Sequence, residues 1–164
     1  MNASQSHQLR LPATATITHD ATSSDDWYTP PEIFETLDLV FDLDVCAPVG
    51  GVQWIPARRY LTIEDDALTH AWEGRVWMNP PYSNPGPFVA RWLEHGNGVA
   101  LLPMTKARWF GRLWDSNARL VVNGGGVVNF IRNAQRKQIL MPMVFAAIGP
   151  DDNVTAIGRL GSLR

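Results

Sequence analysis

An α/β fold, built as a mostly parallel sheet with a terminal antiparallel hairpin, is what this 164-residue chain predicts. Three observations carry the prediction. Apolar runs at residues 41–47, 76–78 and 98–103 alternate with stretches whose apolar residues recur at helical spacing, the pattern of strand–helix units. The run at 98–103 is apolar throughout, as a parallel strand covered on both faces must be. Residues 127–131 and 139–148 flank a short polar stretch and read as a hairpin.

The length suits one domain with a real core. Apolar residues make up 45% and charged residues 18% of the chain, a globular balance. No apolar run approaches the ~20 residues of a membrane span, and the N-terminus lacks a basic-then-apolar signal layout. A single cysteine, Cys46, excludes an internal disulfide framework and suits a reducing cytosol. The four histidines (His7, His19, His70, His95) show no metal-ligand spacing, so no metal is expected. The charge is divided unevenly. Residues 1–78 carry four basic and twelve acidic side chains, a net −8, and residues 79–164 carry ten and four, a net +6. A basic, Arg-rich half suits a phosphate backbone, and an acidic half suits a cationic small ligand or a solvated surface.

In chain order, residues 1–24 are polar and without periodicity, which predicts a flexible arm, with a short strand within 9–17 left open. Trp27-Tyr28-Thr29-Pro30-Pro31 opens a helix to about residue 39, with Thr29 as N-cap and the prolines in the first turn. Residues 41–47 form the first buried strand, which ends in a small-residue turn through Cys46-Ala47-Pro48-Val49-Gly50-Gly51. Residues 52–64 are too few for a helix plus a strand. Arg58-Arg59-Tyr60 reads equally as a DNA contact or as plain surface. Asp66 opens an apolar-spaced stretch from Leu68 to Trp72 and can cap a helix there. After residues 83–87, a loop, an amphipathic helix at 88–93 is stopped by Gly96 and Gly98. Thr105 caps another to about 116, with Trp109, Phe110, Leu113 and Trp114 as its core face and Lys106, Arg108 and Arg112 outside it. A strand at 119–122 leads through the Asn123-Gly124-Gly125-Gly126 turn into the hairpin, where Pro142 demotes its second arm to an edge strand or a bulge. Residues 150–164 read as a loose tail, leaving 25–149 as the domain.

The chemistry concentrates where the strand at 76–78 runs out into Asn79-Pro80-Pro81-Tyr82. Each proline fixes its own φ, removes an N–H, and holds the residue before it extended. The Asn79 amide oxygen and the Pro80 carbonyl can therefore converge on one –NH2 group, each accepting one of its hydrogens. The Tyr82 ring can stack on the heterocycle that carries this nitrogen. A packed Pro-Pro loop is the plain alternative. The loop at 132–137, with Arg132, Arg136 and Lys137 beside Asn133 and Gln135, offers the groups that contact phosphates and base edges, or forms a solvated hairpin tip.

Asn79-Pro80-Pro81-Tyr82 resembles the catalytic motif of S-adenosylmethionine-dependent amino methyltransferases. The order from Trp27-Tyr28-Thr29-Pro30 through Leu43-Asp44-Val45-Cys46-Ala47 and Asp66-Ala67-Leu68 to that motif is similar to the small phage-type DNA N6-adenine methyltransferases. The resemblance implies a class I methyltransferase (Rossmann-like) fold, S-adenosylmethionine as cofactor, DNA as partner, and residence in the cytoplasm, the host's if the chain is phage-encoded. It also implies cofactor contacts from Trp27, Thr29 and Pro30 at the methionine end, from Asp44 with the backbone of Cys46 and Ala47, and from Asp66, with Glu64 and Asp65 ribose candidates by position. Catalysis would fall to Asn79, Pro80, Pro81 and Tyr82, and DNA binding to Arg108, Arg132, Arg136 and Lys137. Cys46 reads as a packing residue, since amino methylation needs no thiolate. The same motif also serves enzymes acting on cytosine N4 or a glutamine amide, and a non-catalytic DNA-binding relic stays open. Oligomeric state is unspecified by the sequence.

Overall fold

The computed structural model describes residues 25–123 and 128–163. The strand left open within 9–17 and the Gly124-Gly125-Gly126 turn lie outside them. The first half of the chain forms α1 (Pro31–Leu37), β1 (Phe41–Asp44), β2 (Ala57–Tyr60), β3 (Val76–Met78), α2 (Gly86–His95) and β4 (Gly98–Pro103). The second half adds α3 (Arg108–Trp114), β5 (Arg119–Val122), β6 (Asn129–Arg132), β7 (Gln135–Gln138), β8 (Met143–Ile148), α4 (Asp151–Gly158) and β9 (Ser162–Leu163). Seven strands make one sheet in the order β2-β1-β3-β4-β8-β5-β9, and β6 and β7 pair separately. β2, β1, β3 and β4 are mutually parallel, while β8 enters antiparallel between β4 and β5, and β9 lies antiparallel beyond β5.

Alternation along the strands sends side chains to two cores. Val76, Met78, Ala100 and Leu102 pack with Val89 and Trp92 of α2 and Leu113 of α3. Trp77, Val99, Leu101 and Phe145 pack with Phe34 and Leu37 of α1, with Ala156 and Ile157 of α4, and with Phe130 of β6. Helices therefore cover both faces. Among the described residues, no helix is long and apolar enough to cross a membrane. Gly98 lets β4 approach β3, because a Cβ there would sit 2.3 Å from the Val76 carbonyl oxygen.

Several expectations are corrected. Thr29 does not cap α1; Pro30 takes that position, extended at φ −73° and ψ 154°, and the Thr29 side chain is buried. Residues 57–60 form a strand reached from β1 without a helix, and its arginines face acids: Arg58 pairs with Asp42 and Arg59 with Glu73, both at 3.0 Å. No helix follows Asp66, which is left-handed at φ 54° in a run of turns. Ala107, not Thr105, caps α3, and Thr105 Oγ1 instead accepts the Ala107 N–H at 3.1 Å. Trp114 leaves the core face and is 58% exposed. The hairpin is formed by β6 and β7 around the two left-handed residues Asn133 and Ala134, so most of the basic stretch is itself strand. Residues 143–148, expected as the hairpin's second arm, form instead a fully buried strand inside the main sheet, and Pro142 just precedes it.

The segment at 150–164, read as a loose tail, instead contains α4 and β9. Asp151 and Asp152 sit favourably in the first turn of α4. Asn153 is wholly buried and fully engaged: its amide donates to the Ile148 carbonyl at 2.9 Å and to Asn97 Oδ1 at 3.0 Å, and accepts Arg75 Nε–H at 2.7 Å. Arg159 reaches the Leu37 carbonyl at 2.7 Å. These bonds tie the C-terminal segment to the amino ends of β3 and β4 and to α1.

Candidate active site

In an open α/β sheet, ligands bind beyond the carboxyl ends of the strands, where the strand order reverses. Here β1 connects outward to β2 and β3 connects the other way to β4, so the reversal falls between β1 and β3. Asp44 lies opposite Trp77 in register, which sets Val45-Cys46-Ala47 and Asn79-Pro80 side by side at that edge. Two sequence-distant stretches with proposed chemistry thus meet where the topology predicts a site.

A third segment closes over them. The Asn79 side chain continues the Trp77 face and donates its amide to the Trp27 carbonyl at 2.7 Å. A carbonyl can only accept, so this bond fixes which way the amide points and leaves Oδ1 as the atom that accepts. Tyr82 Oη donates to that oxygen at 2.7 Å, leaving it one lone pair for another donor. Ser83 donates its N–H and hydroxyl to the two oxygens of Asp25, at 3.0 and 2.6 Å, a second clamp on the same segment. Trp54 Nε1 donates to the Thr29 carbonyl at 2.8 Å and so ties in the loop that follows β1. Residues 25–29, 44–54 and 79–83 form one cradle.

The electrostatics of the cradle follow from burial. Burial pushes the Asp44 carboxyl up to about 7, although the Cys46 N–H donated to it at 3.1 Å pulls the other way. The Cys46 thiol is raised by burial and by the Asp44 charge, so it is a poor nucleophile, consistent with a packing role. The Tyr82 hydroxyl is also raised by burial, and by Cys46, which places the motif close to the end of β1. Thr29 Oγ1 is buried without a hydrogen-bond partner in the protein. A buried hydroxyl left this way is costly unless something else satisfies it.

The other expected site residues are distributed around this cradle. Asp65 spends its carboxylate on the N–H and hydroxyl of Thr62, at 2.8 and 2.9 Å, which hold it below the usual carboxylate range. Asp66 is exposed and holds Thr69 through its main-chain carbonyl. Neither joins the hydrogen bonds around Asn79. Arg132 lies over the Trp27 ring, 4.9 Å from its centroid. Arg136 is bound to Glu32 of α1, an acid the local sequence did not offer, while Lys137 is exposed on β7. The hairpin docks on the cradle by a two-way backbone bridge between Tyr28 and Ile131, at 3.0 and 2.9 Å. Phe130 sits between the rings of Trp27 and Tyr82, 6.0 and 6.3 Å from each. Arg108 opens α3 at the rim of a surface cavity of about 480 Å3, with Lys106, Arg112 and Trp114. Sequence reasoning missed Asp25, Trp54, Ser83 and Phe130, whose parts depend on long-range contacts.

Residues 16–141 match the family described as DNA N-6-adenine-methyltransferase (Dam), a stretch that contains Asn79–Tyr82. The chain is 33% identical over 120 residues to a DNA N-6-adenine-methyltransferase of Haemophilus phage HP1 (strain HP1c1), across 66% of this chain and 68% of the relative. It is 30% identical over 107 residues to a DNA N-6-adenine-methyltransferase of Escherichia phage T1, across 59% of this chain and 44% of the relative. No solved structure matches it.

Proposed function

The chain belongs to the DNA N-6-adenine-methyltransferase family, and on that premise we propose that it methylates adenine N6 in DNA from S-adenosylmethionine, gripping the amino group at Asn79 and Pro80. One observation carries the residue-level reading: the Trp27 carbonyl and the Tyr82 hydroxyl together fix the Asn79 amide and leave Oδ1 one lone pair to spare. The fold supports a class I methyltransferase reading through its parallel β2-β1-β3-β4 half and the antiparallel β8 beside it.

The residues present fit the cofactor. Thr29 Oγ1 lacks an acceptor that a ligand carboxylate supplies, and Asp44 is a buried carboxylate whose charge a cationic ligand group would stabilise. When bound, S-adenosylmethionine supplies an electrophilic methyl group on a sulfonium. A base inside a duplex is out of reach, so the adenine is displaced into the cradle. Asn79 Oδ1 and the Pro80 carbonyl each accept one amino hydrogen, which turns the nitrogen lone pair toward the methyl carbon. The same two acceptors would stabilise the positive charge that develops on nitrogen as the methyl group leaves the sulfonium sulfur for it, the C–S bond breaking as the N–C bond forms. Both are weak bases, so the proton passes to water afterwards. Tyr82 holds Asn79 in register and flanks the base, and Pro81 stiffens the turn between them.

Nucleoside mass spectrometry of methylation-free DNA, incubated with the protein and S-adenosylmethionine, tests this. N6-methyladenine is expected, with Asn79→Ala reducing it by roughly 10²-fold or more and leaving cofactor binding nearly unchanged. N4-methylcytosine alone, or no methylated nucleoside from protein that binds the cofactor, would refute the substrate. A fully active Asn79→Ala would refute the grip.

A further inference from the structure

Two large aliphatic side chains beyond the carboxyl edge of the parallel strands stand in solvent: Ile63, 89% exposed, and Leu140, fully exposed. A lone exposed apolar residue is ordinary, but the settings of these two differ. Ile63 is followed by Glu64, Asp65 and Asp66. Leu140 follows Arg136 and Lys137 and belongs to the apolar segment Ile139-Leu140-Met141-Pro142. A polyanion is repelled by the first setting and attracted by the second.

The loop at 139–142 is also in the right place. Because β8 runs antiparallel, its first residue, Met143, pairs with Pro103 at the end of β4. The Met104 N–H donates to the Pro142 carbonyl at 2.8 Å and pins the base of the loop to that edge. Only β4 separates β3 from β8, so the loop rises about two strand spacings, roughly 10 Å, to the side of the strand that leads into Asn79. Leu140 and Met141 line a cavity of about 350 Å3 together with Phe130, and Phe130 in turn packs against Tyr82. An apolar tip thus projects beside the cradle, with exposed Lys137 next to it on β7.

We propose that Leu140 is the wedge that enters the DNA stack and fills the place of the displaced adenine, an inference that rests on the adenine-methylation reading above. Displacing a base forfeits both its pairing and its stacking. Apolar side chains inserted between base steps are a known way to recover part of that loss. Leu140 has the required shape and solvent access, and the cations beside it bring the backbone within reach.

The test compares Leu140→Ala with the wild type on two oligonucleotides sharing one methylated context. In one the target adenine is paired with thymine; in the other it lies opposite an abasic site, so that little pairing is lost on displacement. We expect Leu140→Ala to lose roughly tenfold or more on the paired duplex and to stay within about twofold of wild type opposite the abasic site. A 2-aminopurine at the target should brighten less with the variant than with the wild type. Equal activity on both substrates would overturn the wedge, and so would an equal loss on both. A change in sedimentation of the free protein would assign Leu140 to self-association instead. If the wild type methylates neither oligonucleotide, the functional reading fails first and the wedge falls with it.

Discussion

Asp44→Asn should make the unliganded protein more stable, and the gain should depend on pH. The carboxyl is 4% exposed and is pushed up to about 7 from an ordinary 3.8 by burial. Between those two values the native state keeps a proton that the unfolded chain releases. Wild-type stability therefore falls as pH rises through about 4 to 7 and levels off above. Three units at 1.36 kcal/mol each give a full penalty of about 4 kcal/mol, of which about 3 kcal/mol develops between pH 5 and pH 8. Asparagine has nearly the same shape and no charge, and its oxygen can still accept the Cys46 N–H. The variant should thus gain about 3 kcal/mol on wild type between pH 5 and pH 8, read by urea unfolding of both proteins at each pH. The comparison cancels Glu32 and Asp65, which Arg136 and Thr62 hold low and which act in the opposite direction. Variant and wild-type curves that move in parallel with pH would refute the argument. At pH 8 the variant should also bind S-adenosylmethionine more weakly, since the charge it lacks is the one a cationic ligand would use.

Two further outcomes are expected. Replacing Arg132, Arg136 and Lys137 together by Ala should flatten the salt dependence of DNA binding by about two units of slope, less than three contacts would give because Arg136 is already bound to Glu32. An unchanged slope would remove the hairpin from the interface. Gly98→Ala should destabilise the fold by about 2 kcal/mol or more, because its Cβ meets the Val76 carbonyl at 2.3 Å; an unfolding curve matching wild type would show that β3 and β4 can part without cost.

What could be read from the sequence was what burial writes into it. The runs at 76–78 and 98–103 were legible because strands covered on both faces are apolar throughout, and Asn79-Pro80-Pro81-Tyr82 because its chemistry is local. β2 was missed because an edge strand of Ala, Arg, Arg and Tyr looks like surface, its arginines answered by acids elsewhere in the chain. The hairpin was given the wrong partner because β7 is polar and exposed along its whole length, while the apolar run after it looked like the better arm. α4 was hidden because Ala156 and Ile157 share its burial with an asparagine. The largest gap was at the site itself: Trp27 holds Asn79 through a main-chain carbonyl, which any residue would carry. Asp25 meets Ser83 across 58 positions of sequence, beyond the reach of any local pattern.

The placement of β8 also sets an order of assembly. β4 and β5 do not pair with each other; β8 lies between them and pairs with both. Residues 119–122 therefore have no place in the sheet until residues 143–148 have been synthesised and have docked along β4. Until then β5 is an unpaired apolar segment, exposed to other chains. The parallel half can assemble early, and the second half must close in one late, long-range step, of the kind that slows folding. Slow folding intermediates of this kind are open to aggregation. Production of this protein at high concentration should be most vulnerable in that interval, and lower temperature or slower synthesis should raise the soluble yield more than any change to the cradle.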